Sequence, residues 1–272
     1  MRYVLILTLA LPLAAWNETG HKTVASIAYQ NLKKPVRDRV DALLKQHPDY
    51  ATWKGHPFQA ASYWPDVIRG NKLYDHPVWH YINVPFSPDN TPFPPVNYDV
   101  EGVLRKIREF RKSVGDKSVP EAERAIQLAW LLHLVGDVHN PLHAVARFTR
   151  PLPQGDRGGN LVFVVGASNL HAYWDALLGN TPAPEFIGKL GQSLMKTEKR
   201  ETPVNTSERQ WVDEGVQVAK QTVYSFGDDS GTKQNPAPLS DAYRAAAKKV
   251  ARARGALAGY RLAALLNEAL KE

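Results

Sequence analysis

His133-Leu-Val-Gly-Asp137-Val-His-Asn-Pro-Leu-His143 closes a strongly helical run that extends from Pro120 to Val138. Within it Ile126, Leu128, Trp130, Leu131, Leu134, Val135 and Val138 form an apolar stripe wide enough for a buried helix. His133 and Asp137 are four residues apart, so they project from one face, one turn above the other. Pro141 cannot continue a helix, so the chain turns there and brings His143 round from just beyond the end. Two imidazoles and a carboxylate on an apolar core helix are costly to bury without partners. A divalent metal satisfies all three. Two hydrogen-bonded core histidines and a capping aspartate are the alternative, and this stretch alone leaves both open.

The 272-residue chain is 43% hydrophobic and 22% charged, which suits a globular protein with a sizeable core. Residues 1–15 read as a signal peptide. Arg2 is the basic start, Tyr3–Leu11 the apolar run, and Pro12-Leu13-Ala14-Ala15 the approach to a cut. That run is too short to span a bilayer, and no later segment approaches the ~20 apolar residues a transmembrane helix needs. With no cysteine, disulfides and thiolate zinc sites are excluded, so any metal is held by His, Asp, Glu or backbone groups. An exported chain without disulfides is expected to be secreted or periplasmic, in a bacterium. The net charge of +7 suits a polyanionic substrate such as nucleic acid, or an anionic lipid surface. Much of it lies in Arg244, Lys248, Lys249, Arg252 and Arg254, read as the solvated face of a C-terminal helix.

Periodicity predicts helices over 20–32, 35–46, 97–114, 120–138, 169–178, 185–196, 207–226 and 239–270. Residues 47–65 are aromatic-rich loop or short helix, and the proline-rich 85–96 is an extended surface loop. Leu161–Val165 reads as a strand, half of a small hairpin. Residues 227–238 form a linker without the marks of a domain boundary, and no internal repeat is present. The expected architecture is a single mainly α domain over 16–272 with one small β-hairpin.

A second His-x-x-x-Asp, His171-Ala-Tyr-Trp-Asp175, repeats the four-residue spacing on another predicted helix. His80 follows an apolar aromatic run and Asp66 follows Trp64-Pro65, so both polar groups fall where burial is expected. All-nitrogen-and-oxygen ligand sets of this kind suit zinc, and carboxylates can bridge two ions. Cleavage after Ala15 would start the mature chain at Trp16, whose free α-amine and carbonyl form a five-membered chelate ring on one metal. His21 lies five residues on, after Gly20, where the chain can turn.

These motifs together resemble the secreted zinc-dependent single-strand nucleases and 3′-nucleotidases, the family of mung bean nuclease and the plant bifunctional nucleases. Zinc-dependent phospholipase C is a more distant relative with the same helical fold. The resemblance rests on Trp16-x-x-x-Gly20-His21, Trp64-x-Asp66, Trp79-His80-Tyr81-Ile82 and the opening stretch. Gly158-Gly159-Asn160 and Asn169-Leu-His171-x-x-Trp174-Asp175 complete it. It implies three Zn2+ ions. Asp66, His80, His133 and Asp137 would hold the first. The Trp16 amine and carbonyl, His21 and the other oxygen of Asp137 would hold the second, close beside it. His143, His171 and Asp175 would hold the third. The implied chemistry is metal-assisted hydrolysis of phosphate esters in single-stranded DNA, RNA and 3′-nucleotides. A hydroxide attacks phosphorus in line and leaves 5′-phosphates. Asp66, Asp137 and Arg69 carry the catalytic roles. No protein partner is implied, and a monomer is expected.

The sequence departs from the family pattern in places. Asn83 stands where the nucleases have an Asp that reads the base edge, while Tyr81 keeps the aromatic stacking position. Arg69 replaces a Lys near the scissile phosphate, retaining charge but offering a bidentate fork. Asn160 either orients a ligand or substrate or merely starts the strand. His139 reads as a core residue facing away from the His133 side, and His47, His56 and His76 as surface loop residues. Asn17-Glu-Thr19 and Asn205-Thr-Ser207 match glycosylation sequons. Two rival functions remain: a phospholipase C using the same three zincs, and a non-catalytic zinc-storage protein.

Overall fold

The computed structural model describes residues 16–98, 102–198, 207–226 and 231–271. The expected signal peptide, part of the start of the predicted 97–114 helix, much of the Asn205 sequon and the first residues of the 227–238 linker lie outside them. In chain order the elements begin with helix α1 (Glu18–Gln30), α2 (Lys34–Leu44) and α3 (Pro57–Val67). Strand β1 (Val84–Phe86), α4 (Val103–Ser113), α5 (Glu121–Asp137) and strand β2 (Val145–Arg147) follow. The chain ends with α6 (Leu170–Asp175), α7 (Pro184–Thr197), α8 (Glu208–Val218), a π-helical turn Ala219–Val223 and the long α9 (Asp241–Ala269).

α5 is the centre of the molecule. Glu121 and Glu123 lie in its first turn, where they complement the helix dipole. From Leu128 to Asp137 every residue is buried, so the helix is enclosed on all sides rather than along a stripe. α2, α3, α4 and α9 all pack on it. The stretch 47–65, expected as loop or short helix, runs into α3. His56 caps that helix by accepting from the Phe58 N–H, Pro57 sits in its first turn where no N–H is needed, and Pro65 lies inside it. Asp66 therefore sits on a helix that packs against α5.

The expected hairpin at Leu161–Val165 is corrected. The strand pair is β1 with β2, parallel, in register Val84↔Val145, Pro85↔Ala146 and Phe86↔Arg147. Parallel neighbours need a long crossover, here α4 and α5, which is why no local turn signal announces the pairing. Residues 161–165 instead meet the distant segment 231–237. Phe163 N–H donates to Gly231 O, Ala237 N–H to Phe163 O and Val165 N–H to Ala237 O. The chain before them coils through Gly155, Gly158 and Gly159, all at positive φ, which leaves no adjacent strand to pair.

Two surface expectations are also corrected. Arg254 on α9 is only 5% exposed. Its Nε donates to His139 O and its Nη1 to Glu214, and Arg261 one face along holds the same carboxylate through two bonds of 2.6 Å. His47 is buried against the rings of Trp53 and Trp64, and burial lowers its pKa to about 4. His139 is a core residue: Nδ1 donates to Val135 O, so Nε2 accepts from Arg261.

Candidate metal centre

Five pieces of backbone deliver the candidate ligands. α5 carries His133 and Asp137, and the turn after it carries His143. α1 brings His21, α3 brings Asp66 and α6 brings His171 and Asp175. The short helical turn Pro77–His80 brings His80. The parallel ladder continues upstream of β1, with Ile82 N–H donating to His143 O and Val84 N–H to Ala144 O. That pairing draws residue 80 beside residue 143, and His143 Nδ1 donates to the His80 carbonyl at 2.7 Å.

The side chains converge in three groups, each with ligand atoms within 4.8 Å of one another: His21, His133 and Asp137; Asp66, His80 and His133; His143, His171 and Asp175. Asp137 faces two ways. Its Oδ1 lies 3.3 Å from His21 Nε2, while its Oδ2 lies 3.0 Å from His80 Nδ1 and 3.3 Å from His133 Nε2. His133 Nε2 is 3.0 Å from His80 Nδ1 and 3.8 Å from Asp66 Oδ1. In the third group His143 Nε2 is 3.1 Å from His171 Nε2, which is 3.6 Å from Asp175 Oδ2. The expected three-way partition therefore has its side chains together, with His133 between the first two groups.

Protons test whether these residues fit a cation. A backbone carbonyl can only accept, so an imidazole nitrogen bonded to one must carry the hydrogen. His133 Nδ1 donates to Ser62 O, His143 Nδ1 to His80 O and His171 Nδ1 to Gly158 O. Each Nε2 is then the nitrogen turned toward the centre. His143 Nε2 and His171 Nε2 face each other across 3.1 Å in a buried site, with the Asp175 carboxylate beside them. A tetrahedral zinc with Zn–N bonds of ~2.05 Å places its nitrogen ligands about 3.3 Å apart, close to the spacings here. Both His21 nitrogens, His80 Nε2, Asp66 Oδ2 and Asp137 Oδ1 are buried without a well-formed hydrogen bond. Burial keeps the pKa of His21 and His133 below the ordinary value and that of His80 well below it, so these rings are neutral ligands. Burial raises Asp137 to about 7 and Asp175 well above the ordinary carboxylate range, a cost that a cation would remove. The residues present fit a divalent metal.

The N-terminal residue of the described chain is built into the same centre. The Trp16 indole is fully buried, and its Nε1 donates to Gly136 O at 3.1 Å. Asn17 caps α1 through the Gly20 N–H, while its own N–H donates to Asp175 O. Asn140 emerged only from the structure: its Nδ2 donates to Asp175 Oδ1 at 2.9 Å, aiming the other oxygen at His171. Its signal was an asparagine inside the opening motif, between Asp137 and His143.

The other candidates separate. Arg69 holds Asp66 Oδ1 through Nη2 at 2.9 Å, at the edge of the centre. Tyr81 and Asn83 line one pocket of about 320 Å³ with Pro95, Val96, Tyr98 and Leu104. Asn160 lies elsewhere, its Nδ2 donating to Arg157 O and its Oδ1 3.5 Å from Asn169, which caps α6.

A model of the S1/P1 Nuclease family matches residues 16–271, nearly the whole length. The chain belongs to the S1/P1 nuclease family. It is 28% identical over 191 residues to Endonuclease 1 of Arabidopsis thaliana, covering 63% of this chain and 56% of that protein. The match thus spans little more than half of that relative's length. Endonuclease 2 of the same plant is 22% identical over 285 residues, covering 93% of this chain and 89% of its own. Nuclease S1 of Aspergillus oryzae is 25% identical over 288 residues, with 96% and 94% covered. These relatives come from a plant and a fungus, so the bacterial source expected from the missing cysteines has no support from them. Among the described residues of this S1/P1 nuclease-family chain, no helix is long and apolar enough to cross a membrane.

Proposed function

We propose that the protein is an exported zinc-dependent endonuclease. It hydrolyses single-stranded RNA and DNA to 5′-phosphates and removes phosphate from 3′-nucleotides. Residues 16–272 act as one monomeric nuclease domain once residues 1–15 have been removed. The observation that carries this reading is the convergence of three buried His/Asp groups, with Asp137 turning its two oxygens to different histidines. Such a centre suits bound cations, and the family the chain belongs to acts on nucleic acid.

Asp66, His80, His133 and Asp137 would hold one ion. The Trp16 amine and carbonyl with His21 and Asp137 Oδ1 would hold another, and His143, His171 and Asp175 a third. Zinc bound there supplies Lewis acidity, lowering the pKa of water and neutralising phosphate charge. The protein's own groups do the rest. Asp137 is the one side chain that faces two groups of ligands with different oxygens. Arg69 holds positive charge at the edge of the centre, where a phosphate would approach. Tyr81 offers a ring for stacking a base in the pocket it shares with Asn83, an arrangement that tolerates any base. Asn160 orients the loop against α6.

The test is metal analysis of correctly processed protein alongside assays on single-stranded DNA, RNA, a 3′-nucleotide and phosphatidylcholine. About three zincs per chain and chelator-reversible cleavage of the nucleic acids are expected. Activity confined to phosphatidylcholine would make it a phospholipase C, metal without hydrolysis would make it a storage protein, and one zinc or none in active protein would overturn the site assignment.

A further inference from the structure

α4 is strongly basic, with Arg105, Lys106, Arg108, Arg111 and Lys112 against Glu109 alone. Its charges divide by direction. Arg111 turns to Glu208 and Glu268. Lys106 is only 14% exposed and lies over the Trp79 ring at 4.4 Å, with Nζ on Glu109. The remaining three, Arg105, Arg108 and Lys112, recur at spacings of three and four and so share one face. With Glu109, which Arg105 also bonds at 2.7 Å, they line a shallow hollow of about 150 Å³. Glu109 is held by Arg105 and Lys106 together, so the face keeps a clear positive excess.

The position of this face gives it meaning. Gly102 and Leu104, at the start of the same helix, line the Tyr81–Asn83 pocket, and Val103 N–H donates to Tyr81 O. Tyr81 directly follows the candidate ligand His80. From that end the helix leads away from the metal centre. From Arg105 to Lys112 it advances ~10 Å at 1.5 Å per residue, long enough to meet successive phosphates of one strand.

We propose that the Arg105–Arg108–Lys112 face of α4 is a track for the sugar-phosphate backbone of a single strand, whose base occupies the Tyr81–Asn83 pocket. The track binds phosphates at successive positions and carries no base specificity. It favours polynucleotides over mononucleotides, which reach the pocket without touching it. The inference rests on the nuclease reading of the metal centre, and it deepens that reading by assigning where the rest of the strand lies.

The test is a triple variant, Arg105→Gln, Arg108→Gln and Lys112→Gln, set beside a charge-matched control, Lys34→Gln, Lys45→Gln and Lys54→Gln, at exposed positions away from α4. Arg105 and Lys112 are exposed and Arg108 is half-buried, so thermal melts check that both proteins fold. Binding of a labelled 12-nucleotide single strand is followed by fluorescence anisotropy between 50 and 200 mM salt, in an Asp137→Asn background that prevents cleavage. Hydrolysis of the same strand and of a 3′-mononucleotide is measured without that background. Losing three phosphate contacts lowers the log–log salt slope by about 2, so the unsubstituted face loses about 16-fold more affinity across that salt range than the variant. The control keeps the full slope, and the variant raises KM for the strand while leaving the mononucleotide KM unchanged. An unchanged slope in the variant, or an equal drop in the control, overturns the track. A reduced slope with no hydrolysis by any protein keeps the track and refutes the nuclease activity; hydrolysis with an unchanged slope does the reverse. Loss of binding to phosphatidylserine vesicles, with strand binding intact, also overturns it.

Discussion

Replacing Gly136 by Ala adds one methyl to α5 and replaces no candidate ligand. In an ordinary helix interior the change would stabilise by up to ~1 kcal/mol. Here the new Cβ would stand 2.9 Å from His21 Nδ1 and 3.2 Å from His21 Cε1. The imidazole cannot swing aside freely, since its other face stacks on His133 with centroids 3.9 Å apart and the residue is buried. Ordinary contact begins at ~3.5 Å, so the ring must retreat by about 0.6 Å. Metal–ligand distances tolerate only ~0.2 Å, so His21 leaves bonding range while the fold survives. Overpacking costs ~1–3 kcal/mol, and helix propensity offsets part of it, leaving a net loss of about 0–2 kcal/mol in metal-free protein. For a chain of this size that is a fall in Tm of at most ~8 °C. The increment in Tm gained on adding zinc should shrink more than the metal-free Tm itself. Melts with and without chelator, together with zinc content after dialysis, measure both. A variant that keeps the full increment and its metal content would refute the argument that Gly136 exists to admit His21.

Asp137→Asn should abolish more activity than His143→Ala, because Asp137 turns Oδ1 to His21 and Oδ2 to His80 and His133, while His143 meets only the third group; a reversed order in kcat would remove the bridging assignment. Burial raises the Asp137 carboxyl to about 7 and the Asp175 carboxyl well above its ordinary range in the metal-free fold, and holds His21, His80 and His133 below 6.5, so the two carboxyls supply protons that compete with metal. Zinc affinity should therefore rise with pH, with protons released on binding at pH 6 in calorimetry across buffers of different ionisation enthalpy. The sign for the metal-free fold is opposite, since the stability that neutral Asp137 contributes is lost as pH rises through about 7. Glu214→Ala leaves Arg254 and Arg261 buried without their shared carboxylate and should destabilise by about 2–4 kcal/mol in urea unfolding, the lower end because Glu214 is 30% exposed. A chain that retains residues 1–15 has no free amine at Trp16 and should hold less zinc and cleave far more slowly than protein processed to Trp16.

The spacing His133-x-x-x-Asp137, repeated at His171-x-x-x-Asp175, was legible because a helix turns every 3.6 residues and places such pairs on one face whatever surrounds it. The buried run of α5, the turn at Pro141, and the clustering of His21, Asp66 and His80 in recognisable motifs were legible on similarly local grounds. Arg254 and His47 were misread because composition shows a charge or an imidazole but not the glutamate or the tryptophan rings that enclose it. The strand pairing was misread because β1 and β2 meet through a crossover of two helices, and nothing within either three-residue segment encodes a parallel partner.

By itself, then, the sequence determined the inventory of nitrogen and oxygen ligands, their helical phase and the helix that carries two of them, since those properties follow from short-range geometry. The tertiary structure alone decided that Asp137 points its two oxygens into different groups. It also decided that each Nδ1–H of His133, His143 and His171 is committed to a carbonyl from another part of the chain, which turns each Nε2 toward the centre. The physical reason is that a side chain's tautomer and aim depend on what packs behind it, and here those backing groups come from residues 71 and 63 positions away on α3 and the His80 turn, or across a glycine loop 13 residues back.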